Sequence, residues 1–191
     1  MDGQNYRQKY LKYKSKYHQL KKGQTGGMTI IPEKLEPSFD SGKGDDTVRY
    51  RLALVELLNF KGSNNQDWDL MKRIYDENVV MKMSDGTETV GIEKAIKMMK
   101  EMYVTSPDIK VVEHKIQFGS GNWTAAAQMM KGTFTGPMTD PKTGKVYQPT
   151  GKEYTMYACS LLKWNDQNRI IEENIFFDSG DWMKQLGISE C

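Results

Sequence analysis

Cysteine and histidine are scarce in this chain of 191 residues: two of each, Cys159 and Cys191, His18 and His114. Two distant cysteines make no disulfide framework, which fits a reducing, intracellular compartment. Neither has a CxxC partner and the histidines are isolated, so no metal set is expected. No apolar run approaches the length of a membrane span, and the N-terminus lacks the apolar core of a signal peptide. No phosphate loop is present either, because Gly-Ser-Gly at 119–121 reads as a hairpin turn and not as the mouth of a βα unit. No cofactor is therefore expected.

What is present is unevenly distributed. The net charge of +2 conceals a basic N-terminus, with seven Lys or Arg against one acid in residues 1–22, and a mildly acidic remainder. Tyr6, Tyr10, Tyr13, Tyr17 and Leu20 recur at steps of four and three, a helical stripe ringed by lysines. Such an arm can dock on a partner or stay a solvated helix; nucleic-acid binding is disfavoured because the rest of the chain adds no basic surface. The arm KYLKYKSKYHQLKK, with Gly26-Gly27 behind it, resembles a tag found on proteins of giant DNA viruses of amoebae. That resemblance implies a viral protein located in the host cytoplasm or virion, with a virion or assembly partner for the arm. Residues 23–44, rich in Gly, Pro, Ser and Lys, read as a flexible linker.

The expected domain runs from 45 to 191. Asp45 or Asp46 can cap a helix carrying Val48, Leu52 and Val55, closed by a Gly-Ser-Asn-Asn loop. Asp67 caps a second helix, Asn78 to Met83 forms a short strand, and a third helix runs from Gly91 to before Pro107. After that come strands at 109–118, 124–135, 153–164 and 169–177, joined in a meander with a long connection at 136–151, and a short C-terminal helix. The fold class is α+β, a cone-like curved antiparallel sheet wrapped around three N-terminal helices. The open end of such a cone can hold a small molecule.

Asp67-Trp68-Asp69, YDENVVM after it, Gly91 opening a helix, KGTFTG, and finally RIIEENIFFDSGDWMKQLG together resemble the SnoaL-like polyketide cyclase (ester cyclase) family. The resemblance implies the α+β barrel shared with ketosteroid isomerase and nuclear transport factor, often a homodimer through its sheet. It also places the family's catalytic Asp at Ile175, one pocket His at Phe134 and another at Ser160. An isoleucine cannot move a proton, so the family's ring closure is not expected here. The family's second Asp is kept as Asp178, where capping of the last helix competes with a catalytic role. Strand alternation puts Glu173 on the face of Ile175 and Phe177, and Gln128, Met130 and Phe134 together on another strand. Glu173 is thus the nominee for proton transfer, unless a twist or bulge leaves it solvated or paired to lysine. Two functions follow: a hydrophobic-ligand binder or non-catalytic virion component, and alternatively a divergent cyclase or isomerase-type enzyme using Glu173.

Overall fold

The computed structural model describes residues 46–140 and 143–188. By its contacts the chain divides into Met1–Pro32 and Glu33–Cys191, and every described residue belongs to the second unit. The basic arm, the linker, Asp45 and Cys191 lie outside the described residues.

Helix α1, Asp46–Leu57, is buried along Val48, Leu52, Ala53, Leu54 and Val55, and packs on the hairpin of Lys110–Ser120 with Trp123–Thr133. Where a Gly-Ser-Asn-Asn loop is expected, the helix instead widens into a π turn at Leu58–Gly62 and tightens into a 3₁₀ turn at Ser63–Asn65. Helix α2, Trp68–Ile74, begins at Asp67, whose carboxylate accepts from the Leu70 amide at 2.9 Å. Helix α3, Ile92–Thr105, starts after Gly91, whose φ of 95° suits glycine. The strands are β1 (Tyr75–Met83), β2 (Glu88–Val90), β3 (Lys110–Ser120), β4 (Trp123–Thr133), β5 (Met138–Thr139), β6 (Val146–Tyr147), β7 (Glu153–Trp164) and β8 (Ile170–Phe177). Helix α4 is Ser179–Leu186.

Six strands form one curved sheet in the order β2-β1-β8-β7-β4-β3, while β5 and β6 make a separate two-stranded ribbon inside the long connection. The α+β architecture is the expected one, with one difference: β1 and β8 pair in parallel, so the sheet is mixed. Hairpin turns signal only local antiparallel pairs, and β1 and β8 meet across most of the domain's length. Strand β1 is also longer than expected, starting at Tyr75. On β7 the even-numbered residues from Tyr154 to Trp164 are all buried and define the inner face. Gly119 lets α1 approach that face: a Cβ there would lie 2.8 Å from Val48 and from the Trp123 carbonyl. Among the described residues no helix is long and apolar enough to cross a membrane.

Candidate functional site

Register determines which side chains share the inner face. Strand β7 sets Ser160 beside Ile175 and Leu162 beside Glu173 on one side, and Ser160 beside Ala126 and Ala158 beside Gln128 on the other. Strand β1 adds Met81 next to Glu173 and Met83 next to Ile175. Glu173, Ser160, Gln128 and Ile175 are therefore brought together as alternation requires. Glu173 is 7% exposed, Ser160 3% and Gln128 8%. A register shift between Lys163 and Trp164 bulges β8 near Ile171, yet it leaves Glu173 pointing inward; the expected alternative of a solvated or lysine-paired carboxylate describes its neighbour Glu172, which pairs with Lys82 at 3.1 Å.

The other expected pocket residues lie further along the sheet: Phe177 stands in the row of Gln128 and Ala158, and Met130 is opposite Met156. Phe134 lies just past β4, fully buried in a cluster with Ile109, Tyr154, Met156 and Leu186, against which Met130 and Phe177 pack. An aromatic ring thus fills space at that position. Asp178 caps α4, its carboxylate accepting from the Asp181 amide at 2.9 Å.

Around Glu173 the chemistry is specific. The Tyr75 hydroxyl donates to its carboxylate at 2.6 Å, and the Ser160 hydroxyl is a second hydrogen-bond partner. Burial pushes the Glu173 carboxyl above its usual range, and the two hydrogen bonds oppose that rise. Burial, followed by the adjacent carboxylate charge, raises the Tyr75 phenol well above its ordinary value.

Four further residues join this group without having been singled out as pocket residues: Tyr75, Asn59, His114 and Gln117. The Asn59 amide nitrogen contacts Gln128 Oε1 at 2.9 Å and His114 Nε2 at 3.0 Å. Gln117 Nε2 meets His114 Nδ1, and Gln128 Nε2 reaches Ser160 Oγ at 3.5 Å. Asn59 faces the sheet from the π turn, a device that re-aims helix side chains and recurs at functional sites. His114 and Gln117 face inward because β3 carries two bulges, with register shifts between Val111 and Glu113 and between His114 and Ile116. Inward positions on β3 therefore recur at 111, 114 and 117, a spacing of three that strict alternation does not anticipate. Burial lowers the His114 pKa to about 4. Phe60 stacks on its ring, with centroids 4.8 Å apart.

Hollows in the described surface include one of about 370 Å³ lined by Thr47, Arg51, Gly121, Asn122, Asp166 and Asn168, and one of about 230 Å³ beside Trp182 and Tyr157. Neither is lined by Glu173, Ser160, Gln128 or Ile175. Among the described residues no three His, Cys, Asp or Glu side chains gather closely enough to hold a metal ion.

The sequence profile of the SnoaL-like polyketide cyclases matches residues 50–186, most of the chain. The chain belongs to that family. Solved structures share its fold at low identity. A candidate SnoaL-like polyketide cyclase from Jannaschia sp. CCS1 is 18% identical with a TM-score of 0.67, over 78% of this chain and 99% of the other. A protein of ketosteroid isomerase-like fold from Catenulispora acidiphila, solved with trimethylamine, is 10% identical with a TM-score of 0.56, over 71% of this chain and 93% of the other. An LEH-like epoxide hydrolase from M. tuberculosis is 14% identical with a TM-score of 0.53, over 71% of this chain and 88% of the other. Comparison with curated proteins returns no significant match. Within the SnoaL-like fold, Glu173 stands two residues before Ile175 on the same inner face, one step deeper into the domain.

Proposed function

We propose that this SnoaL-like domain binds a small, largely apolar carbonyl compound against the inner face of its sheet and moves a proton there with Glu173, without performing the family's ring closure. The observation that carries this reading is the Glu173 carboxyl itself, inward-facing, shielded from water and bonded by Tyr75 at 2.6 Å. A carboxyl whose pKa is raised by a dry environment exchanges protons closer to neutrality than an exposed one. In the step envisaged, the carboxylate takes a proton from the carbon beside the carbonyl, and the C–H electron pair moves onto the carbonyl oxygen. The carboxyl's proton exchanges with solvent, and the carboxyl then delivers a proton to carbon, which takes back the electron pair from oxygen. Access runs past Ile175 and Met83, which are only half-buried. Met81, Met83 and Met130 supply adaptable walls that can yield to a ligand.

The test is exchange of the α-protons of a panel of enolisable ketones in deuterated water, followed by proton NMR. The wild type should exceed Glu173→Gln by about 100- to 10,000-fold. Equal rates in the two proteins would remove Glu173 from the chemistry.

A second reading, a non-catalytic virion or assembly component acting by association, is favoured by a different observation. On the outer face of the sheet Ile116, Phe118, Tyr157 and Phe176 are 56%, 60%, 62% and 46% exposed. The tag-like arm supports the same reading.

A further inference from the structure

We propose that His114 is a positioning residue for Glu173, acting through Asn59, Gln128 and Ser160 to aim the Ser160 hydroxyl at the Glu173 carboxylate. This rests on the reading of Glu173 as the working group of the site. The argument is one of hydrogen-bond direction. A neutral imidazole has one N–H and one lone pair, so its two nitrogens cannot both accept. As placed, both face amide nitrogens, Gln117 Nε2 at Nδ1 and Asn59 Nδ2 at Nε2. The conflict is resolved at Gln117, whose Oε1 is buried without a partner. Turning that amide by half a turn sets Oε1 against Nδ1–H, so that the ring's one N–H and one lone pair each meet a group of the opposite kind. His114 is then neutral with its proton on Nδ1.

With that assignment every remaining bond has one direction. Asn59 Nδ2 donates one hydrogen to His114 Nε2 and the other to Gln128 Oε1. Gln128 must then present its Nε2 to Ser160 Oγ, so the Ser160 hydroxyl is released to donate to Glu173. Tyr75 donates from β1, and the carboxylate has two donors. The other tautomer, with the proton on Nε2, reverses the chain. Asn59 would turn its oxygen to the ring and Gln128 its nitrogen to Asn59. Ser160 would then donate to Gln128 Oε1, and Glu173 would keep Tyr75 alone. The first arrangement is favoured because it keeps the Asn59 and Gln128 amides in their observed orientations and turns only Gln117, whereas the second turns both Asn59 and Gln128.

His114 therefore orients a hydroxyl on the far side of two amides without touching the carboxylate or any substrate. Its location explains the irregular backbone in two elements. The two bulges of β3 bring the imidazole inward, and the π turn brings Asn59 to meet it.

Two measurements test this without reference to turnover. Nitrogen-15 NMR of the wild-type imidazole should show the neutral Nδ1–H form near neutral pH, and an Nε2–H form would overturn the assignment. Carbon-13 titration of the Glu173 carboxyl, identified by its loss in Glu173→Gln, should have its midpoint raised by about one pH unit in His114→Phe, where a donor to the carboxylate is lost. His114→Gln, which supplies an acceptor in place of Nε2, should return the midpoint towards that of the wild type. A folded His114→Phe protein with an unchanged midpoint would overturn the proposal. Failure of ketone exchange alone, with these shifts intact, would instead count against the proton-transfer reading.

Discussion

Glu172 and Glu173 are adjacent acids in opposite surroundings. Glu172 bonds Asn174 and Lys82, and those bonds hold its carboxyl below the usual range. Burial drives Glu173 the other way. Strand alternation makes the opposite facing of the two readable from sequence and nominates Glu173 for the inner face, but a bulge that would leave it solvated or paired to lysine could not be told apart at that level. His114 was not legible in the same manner, because its inward direction depends on two bulges that leave no local signature. The two buried groups should also mark the pH dependence of stability with opposite signs. A depressed His114 pKa means that the unfolded chain binds more protons between the unperturbed value of 6.5 and about 4. Its contribution is present above 6.5 and is lost as pH falls towards 4. A raised Glu173 pKa contributes fully below 4.5 and is lost as pH rises through the folded value. Thermal melts should therefore show a shallower decline from pH 6.5 to 4 in His114→Gln than in the wild type. They should also show Glu173→Gln, which mimics the protonated acid, gaining relative to the wild type as pH rises above 4.5.

Among the elements, those with local signals were the predictable ones. Asp67 and Asp178 precede amphipathic segments and cap them as the sequence suggests. Strand β7 spans the expected residues because its alternation is unbroken. The π turn after α1 and the parallel pairing of β1 with β8 depend on tertiary contacts and had no sequence signal. Helix α1 is tied to the far ends of two hairpins by Arg51, which donates to Asn168 at 2.9 Å, to the Gly121 carbonyl at 2.9 Å and to the Asn165 carbonyl at 3.0 Å. Arg51 is only 3% exposed, so Arg51→Leu leaves several acceptors short of donors. A loss of about 3 kcal/mol in denaturant unfolding is expected. Asp178→Ala removes only the cap of α4, and about 1 kcal/mol should be lost. Proton exchange by Asp178→Ala at wild-type rate would be consistent with a cap, whereas a large fall would give Asp178 a chemical role.

For the whole domain the outer sheet face matters most. Register places Phe118, Ala125 and Leu161 in one row, and Ile116, Ala127, Cys159 and Phe176 in the next. Apolar surface arranged in rows across four strands is suited to face-to-face pairing with a second copy. Light scattering should give about twice the chain mass of 22.0 kDa, and Phe118→Asp combined with Tyr157→Asp should return it to the monomer value. A monomer at all concentrations in the wild type would exclude this mode of association. Dimer loss without loss of ketone exchange would separate the outer face from the inner site.

The bulges of β3 have a consequence for how the chain tolerates shortening. At each bulge two successive residues point outward, Val112 with Glu113 and Lys115 with Ile116. Removal of one member of either pair restores simple alternation and keeps Val111, His114 and Gln117 on their present side. Removal of Phe118 does the reverse, setting Gln117 directly against Gly119 and forcing one of them through the sheet. A deletion scan along this edge strand should accordingly find tolerance at two sites, 112–113 and 115–116, in a strand where codon loss is otherwise destructive. Relatives lacking one residue at either place would retain the same inner surface.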